Sequence, residues 1–244
     1  MPTPETLLLA ALILAATYAV FGLTGFGSTV LALPVLAHFM PLKFAVPLLM
    51  LLDLVAGLTL SARARSGVRR DEIWRLVPFL LAGLALGVFL LVGLPERPLL
   101  AALGVFLLAY AGYGLAHRGG ELSLAPIWAV PFGLAGGIFA ALFGTGGVLV
   151  SLYVAGRLRD KSELRATVAA AVLVNSGGRL VLFGAVGLLT AEVLLSALWL
   201  LPSVAIGLFA GQRLHAVVPA GAVLKALYFL VLLAGVSLLL RYAA

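Results

Sequence analysis

Apolar residues fill this chain in long blocks, separated by short polar clusters rather than by the stripes of a water-facing helix surface. A helix crosses a bilayer with about 20 consecutive apolar residues. On that measure the pattern predicts a helix near 5–21, a glycine break, and a shorter apolar piece near 28–40. Full spans follow near 43–62, 73–93 and 98–116. The pattern then restarts: an apolar segment near 125–142 breaks at Gly144–Gly147 and continues to about 156, before spans near 165–184, 192–213 and 221–241.

The restart is an internal repeat. "GFG" at 25–27 aligns with "GTG" at 144–146 at an offset of 119, and Asp53 with Asn175 at 122. "PFLLAGLALG" (78–87) aligns with "PSVAIGLFAG" (202–211) at 124. The correspondences keep their order along the chain, which favours duplication. Residues 1–120 form a first membrane repeat and 121–244 a second. Each is predicted to be a glycine-broken helical hairpin followed by three transmembrane helices.

Lys and Arg decide whether the halves run parallel or inverted. If each broken segment returns to its starting side, each half crosses an odd number of times. One side then collects the basic clusters at 63–75 and 157–165 with Arg118, Arg213 and Lys225, and the other holds only Lys43, Arg97 and Arg241. A single crossing divides the charge almost evenly. The positive-inside rule therefore predicts inverted-topology repeats with both termini outside the cytoplasm. Arg69 and Gly187 fall on opposite sides in this topology. The opening "MPTPETLLLAALILAATYAV" lacks a basic leader and is read as the first membrane segment rather than a cleaved signal.

Composition sharpens the class. The chain of 244 residues is 64% hydrophobic and 10% charged, with a mean hydropathy of +1.22. A soluble domain carries roughly 25% charged residues. The expected class is an all-α polytopic protein of the lipid bilayer, in the inner (plasma) membrane of a bacterium. A net charge of +7 would suit nucleic acid, but it lies in short loops, as topology requires. There is no Cys, and His38, His117 and His215 are scattered, so no metal site or cofactor is implied.

A helix that stops and restarts at membrane depth exposes backbone polar groups, which is tolerated only inside protein or beside an aqueous cavity. The restarted helix presents N–H donors and a partial positive charge, suited to an anion. Candidate substrate-binding residues are therefore Gly25, Phe26, Gly27, Ser28 and Thr29 at the first break. At the second they are Gly144, Thr145, Gly146 and Gly147, with Ser151 supplying a further hydroxyl nearby. The competing use of such glycines is close helix packing.

Arg179 and Asp53 lie well inside predicted spans, where a charge costs about 2.5–3.5 kcal/mol on insertion scales. Arg179 can hold an oxyanion in a bidentate fork. Asp53 is a candidate coupling carboxyl for protons or sodium; alternatively the two form a structural ion pair. Asn175, four residues before Arg179, shares its helix face and either donates to the anion or bonds a neighbouring helix. "RARSGVRRDE" and "GRLRDKSELR" read as topology loops, and Trp74, Trp128 and Trp199 as interface anchors.

The duplicated "FGLTGFGSTVLALPVL" and "FAALFGTGGVLVSL" resemble the sulfite exporter TauE/SafE family of membrane transporters. So do "RDKSELRATVAAAVLVNSGGRLVLFGAVGLL" and the "LALG" and "FAGQRL" helix endings. The resemblance covers nearly the whole chain. It implies outward transport of a small sulfur-containing anion: sulfite, a sulfonate such as sulfoacetate, or a related organic acid. The first repeat, with "GFGST", departs from the family's longer glycine run. The residues themselves point to an anion site near the membrane midplane, opened to each side in turn by rocking of one repeat against the other. A passive anion channel is the alternative. A membrane scaffold would leave the breaks beside Arg179 unexplained, and an intramembrane enzyme would lack a nucleophile–base pair.

Overall fold

A computed structural model describes residues 4–24, 27–61, 67–116, 123–214 and 220–243. All regular structure among them is helical. The first half holds α1 (Pro4–Thr24), α2 (Ser28–Leu36), α3 (Leu42–Ser61), α4 (Arg70–Gly93) and α5 (Glu96–Ala116). In the second half a single 3₁₀ turn, Pro126–Trp128, leads into α6 (Ala129–Phe143) and α7 (Gly146–Ala155). Then come α8 (Lys161–Ala185), α9 (Ala191–Leu214) and α10 (Ala220–Ala243). Among the described residues seven helical stretches are long and apolar enough to cross a membrane. The chain is an integral membrane protein. Trp199, Trp74 and Phe89, exposed to 77%, 75% and 72%, belong to an apolar outer surface that suits lipid.

Local chemistry sets the helix ends. Asp160 starts α8 by accepting from the N–H groups of Ser162 (2.8 Å) and Glu163 (2.9 Å). This start is four residues earlier than the apolar pattern predicts. Conversely, α2 stops at Leu36, short of the predicted 40. Pro34 withholds one backbone donor, and Pro41 bars continuation. His38 Nδ1 lies 2.8 Å from the Pro34 carbonyl oxygen in the intervening turn.

The helices pack as two compact units, Met1–Ala56 with Leu94–Arg118 and Leu189–Ala244, and Gly57–Gly93 with Gly119–Leu188. In the first, α1 lies against α9, running in the same direction. A Cβ on Gly207 would overlap the Ala15 carbonyl oxygen, and one on Gly211 that of Ala19. Helix α5 runs antiparallel to α10: Gly104 meets Gly235 and Leu239, while Gly114 meets Tyr228. In the second unit, α4 lies against α6, also in the same direction. There a Cβ on Gly83 would overlap the Leu134 carbonyl oxygen, and one on Gly137 that of Leu80. Each unit thus joins the broken helix pair of one sequence half to the fourth helix of the other. Gly83 and Gly207, and Gly87 and Gly211, are the repeat-aligned positions. Small residues let backbones approach where lipid gives no hydrophobic drive to association.

Within the second unit α6 and α7 form a helical hairpin. Gly146 abuts the Gly136 carbonyl, the Phe132 and Tyr153 rings are 6.3 Å apart, and Leu124 N–H donates to the Gly156 carbonyl at 2.8 Å. Helix α7 therefore returns along α6 to its start. Its buried side, Val150, Tyr153 and Val154, joins Leu76, Leu80 and Ala171 in one core.

These contacts make Gly137→Ala and Gly211→Ala costly: each methyl must push two helix backbones apart, for an expected loss of about 1–3 kcal/mol. Gly112→Ala on α5, where a Cβ meets nothing within 4 Å, is the control. Its expected effect is nil or a slight gain in helix propensity. Unfolding of the detergent-solubilised variants checks this, and equal stability of all three would refute the packing account.

Candidate functional site

The second break is built by two glycine-dependent steps. Gly144 ends α6 with φ 70°, a left-handed conformation that favours glycine, and its N–H donates to the Ala140 carbonyl at 3.0 Å. Thr145 then stands at the N-cap of α7, where a hydroxyl ordinarily accepts from the helix's first N–H groups, yet it makes no capping bond. Thr145 is 2% exposed. Its Oγ1 has no hydrogen-bond partner among the described residues.

Helix α8 passes beside this turn. A Cβ on Gly147 would lie 3.6 Å from Val172, three residues before Asn175. Asn175 and Arg179 lie on the same face of α8 and are 6% and 4% exposed. Asn175 Oδ1 is buried with no hydrogen-bond partner among the described residues. The Arg179 guanidinium carbon sits 5.4 Å from the centre of the Phe183 ring, a turn further on. Gly178 packs on Leu84 and Leu81 of α4, which anchors this stretch of α8 within the unit. Ser151 gives its hydroxyl to the Val148 carbonyl of its own helix at 2.8 Å. Gly144–Gly147, Asn175 and Arg179 all belong to the second unit, where α8 meets the break at Val172.

In the first unit, Gly25 and Phe26 lie outside the described residues. Gly27, with φ 95°, precedes α2 as its N-cap and brings no side chain. Ser28 and Thr29, the first residues of α2, are buried. Both hydroxyls are committed to Asp53 of α3. Ser28 Oγ donates to Asp53 Oδ1 at 2.8 Å, and Thr29 Oγ1 donates to Asp53 Oδ2. Tyr18 of α1, fully buried, donates its hydroxyl to Asp53 Oδ1 at 2.7 Å. Tyr18 carries no signal in the sequence, where it is one aromatic in an apolar run.

A third polar cluster lies in the second unit, from residues the sequence assigned to topology loops. Glu72 of α4, 2% exposed, accepts from Tyr153 Oη at 2.6 Å and from Arg157 Nη2 at 2.8 Å and Nε at 3.0 Å. Arg75 Nη1 adds a contact at 3.2 Å. Arg157 Nη1 also reaches the Leu124 carbonyl at 2.9 Å. Beside Glu72, the Arg157 guanidinium pKa is pushed further up. The cluster ties the end of α7 to the base of α4 and to the chain entering α6.

Comparison with known proteins finds relatives of this sequence. The profile of the family described as "Sulfite exporter TauE/SafE" matches residues 8–238. The chain is 30% identical over 195 residues to a "Probable inner membrane transporter protein TsaS" of Comamonas testosteroni, covering 78% of this chain and 81% of that protein. No solved structure matches.

Glu72→Ala strands Arg157 against a buried surface, and breaking a buried pair costs about 3–5 kcal/mol. Arg75→Ala, whose side chain is 47% exposed, removes a contact worth roughly 0–1 kcal/mol. Thermal unfolding should therefore rank Glu72→Ala well below Arg75→Ala. The reverse order would show that the cluster does not clamp the hairpin.

Proposed function

The chain belongs to the sulfite exporter TauE/SafE family of membrane transporters, and from that premise we propose that it is a secondary transporter that exports a small sulfur-containing oxyanion held at the second helix break. One observation carries this reading. Thr145 Oγ1 at the second break and the Asn175 side-chain oxygen on the helix passing beside it are buried with no hydrogen-bond partner among the described residues. Each unsatisfied buried polar group costs about 1–3 kcal/mol, and that cost has no structural return. An oxyanion gives the Thr145 hydroxyl an acceptor. It accepts from the Thr145 hydroxyl, from the first N–H groups of α7, and from Arg179. Asn175 turns either end of its amide to the ligand, the NH₂ to an oxyanion oxygen or the oxygen to an acid O–H. The positive end of α7 and the Arg179 charge favour the same sign. Sulfite and sulfonates such as sulfoacetate present three oxygens on one centre, which suits several donors converging from a helix end and a guanidinium fork.

Alternating access around this site is the transport mode we assign. The α6–α7 hairpin supports an odd number of crossings in the second half, and the antiparallel α5–α10 pair supports inverted repeats. Both agree with the Lys and Arg distribution and with termini outside the cytoplasm.

Loss of the guanidinium in Arg179→Gln, or addition of a competing carboxylate in Asn175→Asp, should weaken sulfite binding roughly 10- to 100-fold, the value of one charge-assisted hydrogen bond. Calorimetry on the purified protein measures this; wild-type affinity in both variants overturns the site. In proteoliposomes, saturable uptake stimulated by sulfite on the opposite side identifies a carrier. Uptake that neither saturates nor shows counterflow identifies a channel. Because the chain has no Cys, single cysteines at Arg69 and Gly187 report topology directly. An impermeant thiol reagent should label them from opposite sides, and labelling from one side refutes the inverted arrangement.

A further inference from the structure

We infer that Asp53 is a tethered anion that fills the first helix break from within, so that this break binds the chain's own carboxylate rather than a solute. Helix α2 has nine residues, one of them Pro34, too few to be stable alone. Its N-cap, Gly27, has no side chain to satisfy the first N–H groups. The positive end of such a helix calls for a negative charge. Asp53 supplies one from α3, and three hydroxyls converge on it: Tyr18 from α1 at 2.7 Å, Ser28 at 2.8 Å, and Thr29, both from the first turn of α2. All three are donors, and a carboxylate is the group that accepts from all of them at once. One side chain thereby joins three helices of the first unit.

The repeat alignment gives the arrangement its meaning. The position of Asp53 in the first half is that of Asn175 in the second, at an offset of 122. The first break has the carboxylate, and its hydroxyls are satisfied. The second has a neutral amide, and Thr145 Oγ1 and Asn175 Oδ1 have no hydrogen-bond partner among the described residues. The same device occurs twice, filled by the chain in one unit and left to a solute in the other. In this role Asp53 is a positioning residue, not a coupling group. The comparison of the two breaks rests on the anion reading of the second; the occupancy of the first does not.

The test is chemical rescue of the full-length protein in detergent. Asp53→Ala removes the carboxylate and leaves room for formate. Its melting temperature should fall by several degrees and return with a saturable dependence on formate or acetate, beyond the effect of chloride at equal ionic strength. The wild type should not respond. The same rescue in an Arg179→Gln background reads the first break with the second disabled, so failure of one assignment does not obscure the other. Asp53→Asn, which keeps the shape and removes the charge, should also melt lower, and formate should not restore it because the amide fills the space. Absence of rescue in Asp53→Ala overturns the inference. So does an Asp53→Asn protein as stable as wild type that has lost only ion-driven transport, which is the signature of a coupling carboxyl.

Discussion

Hydrocarbon offers no hydrogen bonds, and this constraint governs everything distinctive in the molecule. A backbone that leaves its helical ladder at membrane depth must find partners within the protein. Helices end and restart at both glycine clusters, and buried polar side chains lie beside each of these breaks. At the second break Gly144 closes one helix with its own N–H bond, but the next helix begins at a threonine whose hydroxyl caps nothing. At the first, a carboxylate from another helix meets the new helix end. The long spans, by contrast, satisfy themselves and need only pack.

That packing follows a single recipe used in both units. Glycines on one helix meet carbonyl oxygens on the next, at repeat-aligned positions on α4 and α9, and the paired helices run in the same direction. Contact this close makes the helix pairs stiff bodies. It also gives the two broken pairs a rigid backing, so that the position of each break is set by backbone contacts rather than by flexible side chains. Glu72 does similar work for the α6–α7 hairpin at its open end, where a buried carboxylate holds two arginines and a tyrosine.

Helix number and breaks were legible because hydrophobic block length and glycine clusters are local signals. The breaks at Gly27 and Gly144 fall where the glycine clusters lie, and the two intramembrane charges stood out by cost alone. What was not legible is what depends on partners far apart in the chain. Tyr18 reads as an ordinary core aromatic until Asp53, 35 residues on, is placed beside its hydroxyl. Glu72 and Arg157, 85 residues apart, read as loop charges because net topology and a specific ion pair use the same residue types. The glycines at 83, 87, 207 and 211 marked a repeat in the sequence, but nothing there tells which helix each would touch.

The way the units share the chain also bears on the order in which the protein is made. Every residue of the unit holding the second break lies between Gly57 and Leu188. The other unit begins with the first helix and is finished only by the last two. Ribosomal synthesis therefore completes the inner unit first. Helix α1, made well before α9, must wait in lipid until α9 emerges to cover its glycine and alanine face. Along the chain the segments of one unit are thus flanked on both sides by segments of the other, and the unit begun first is completed last.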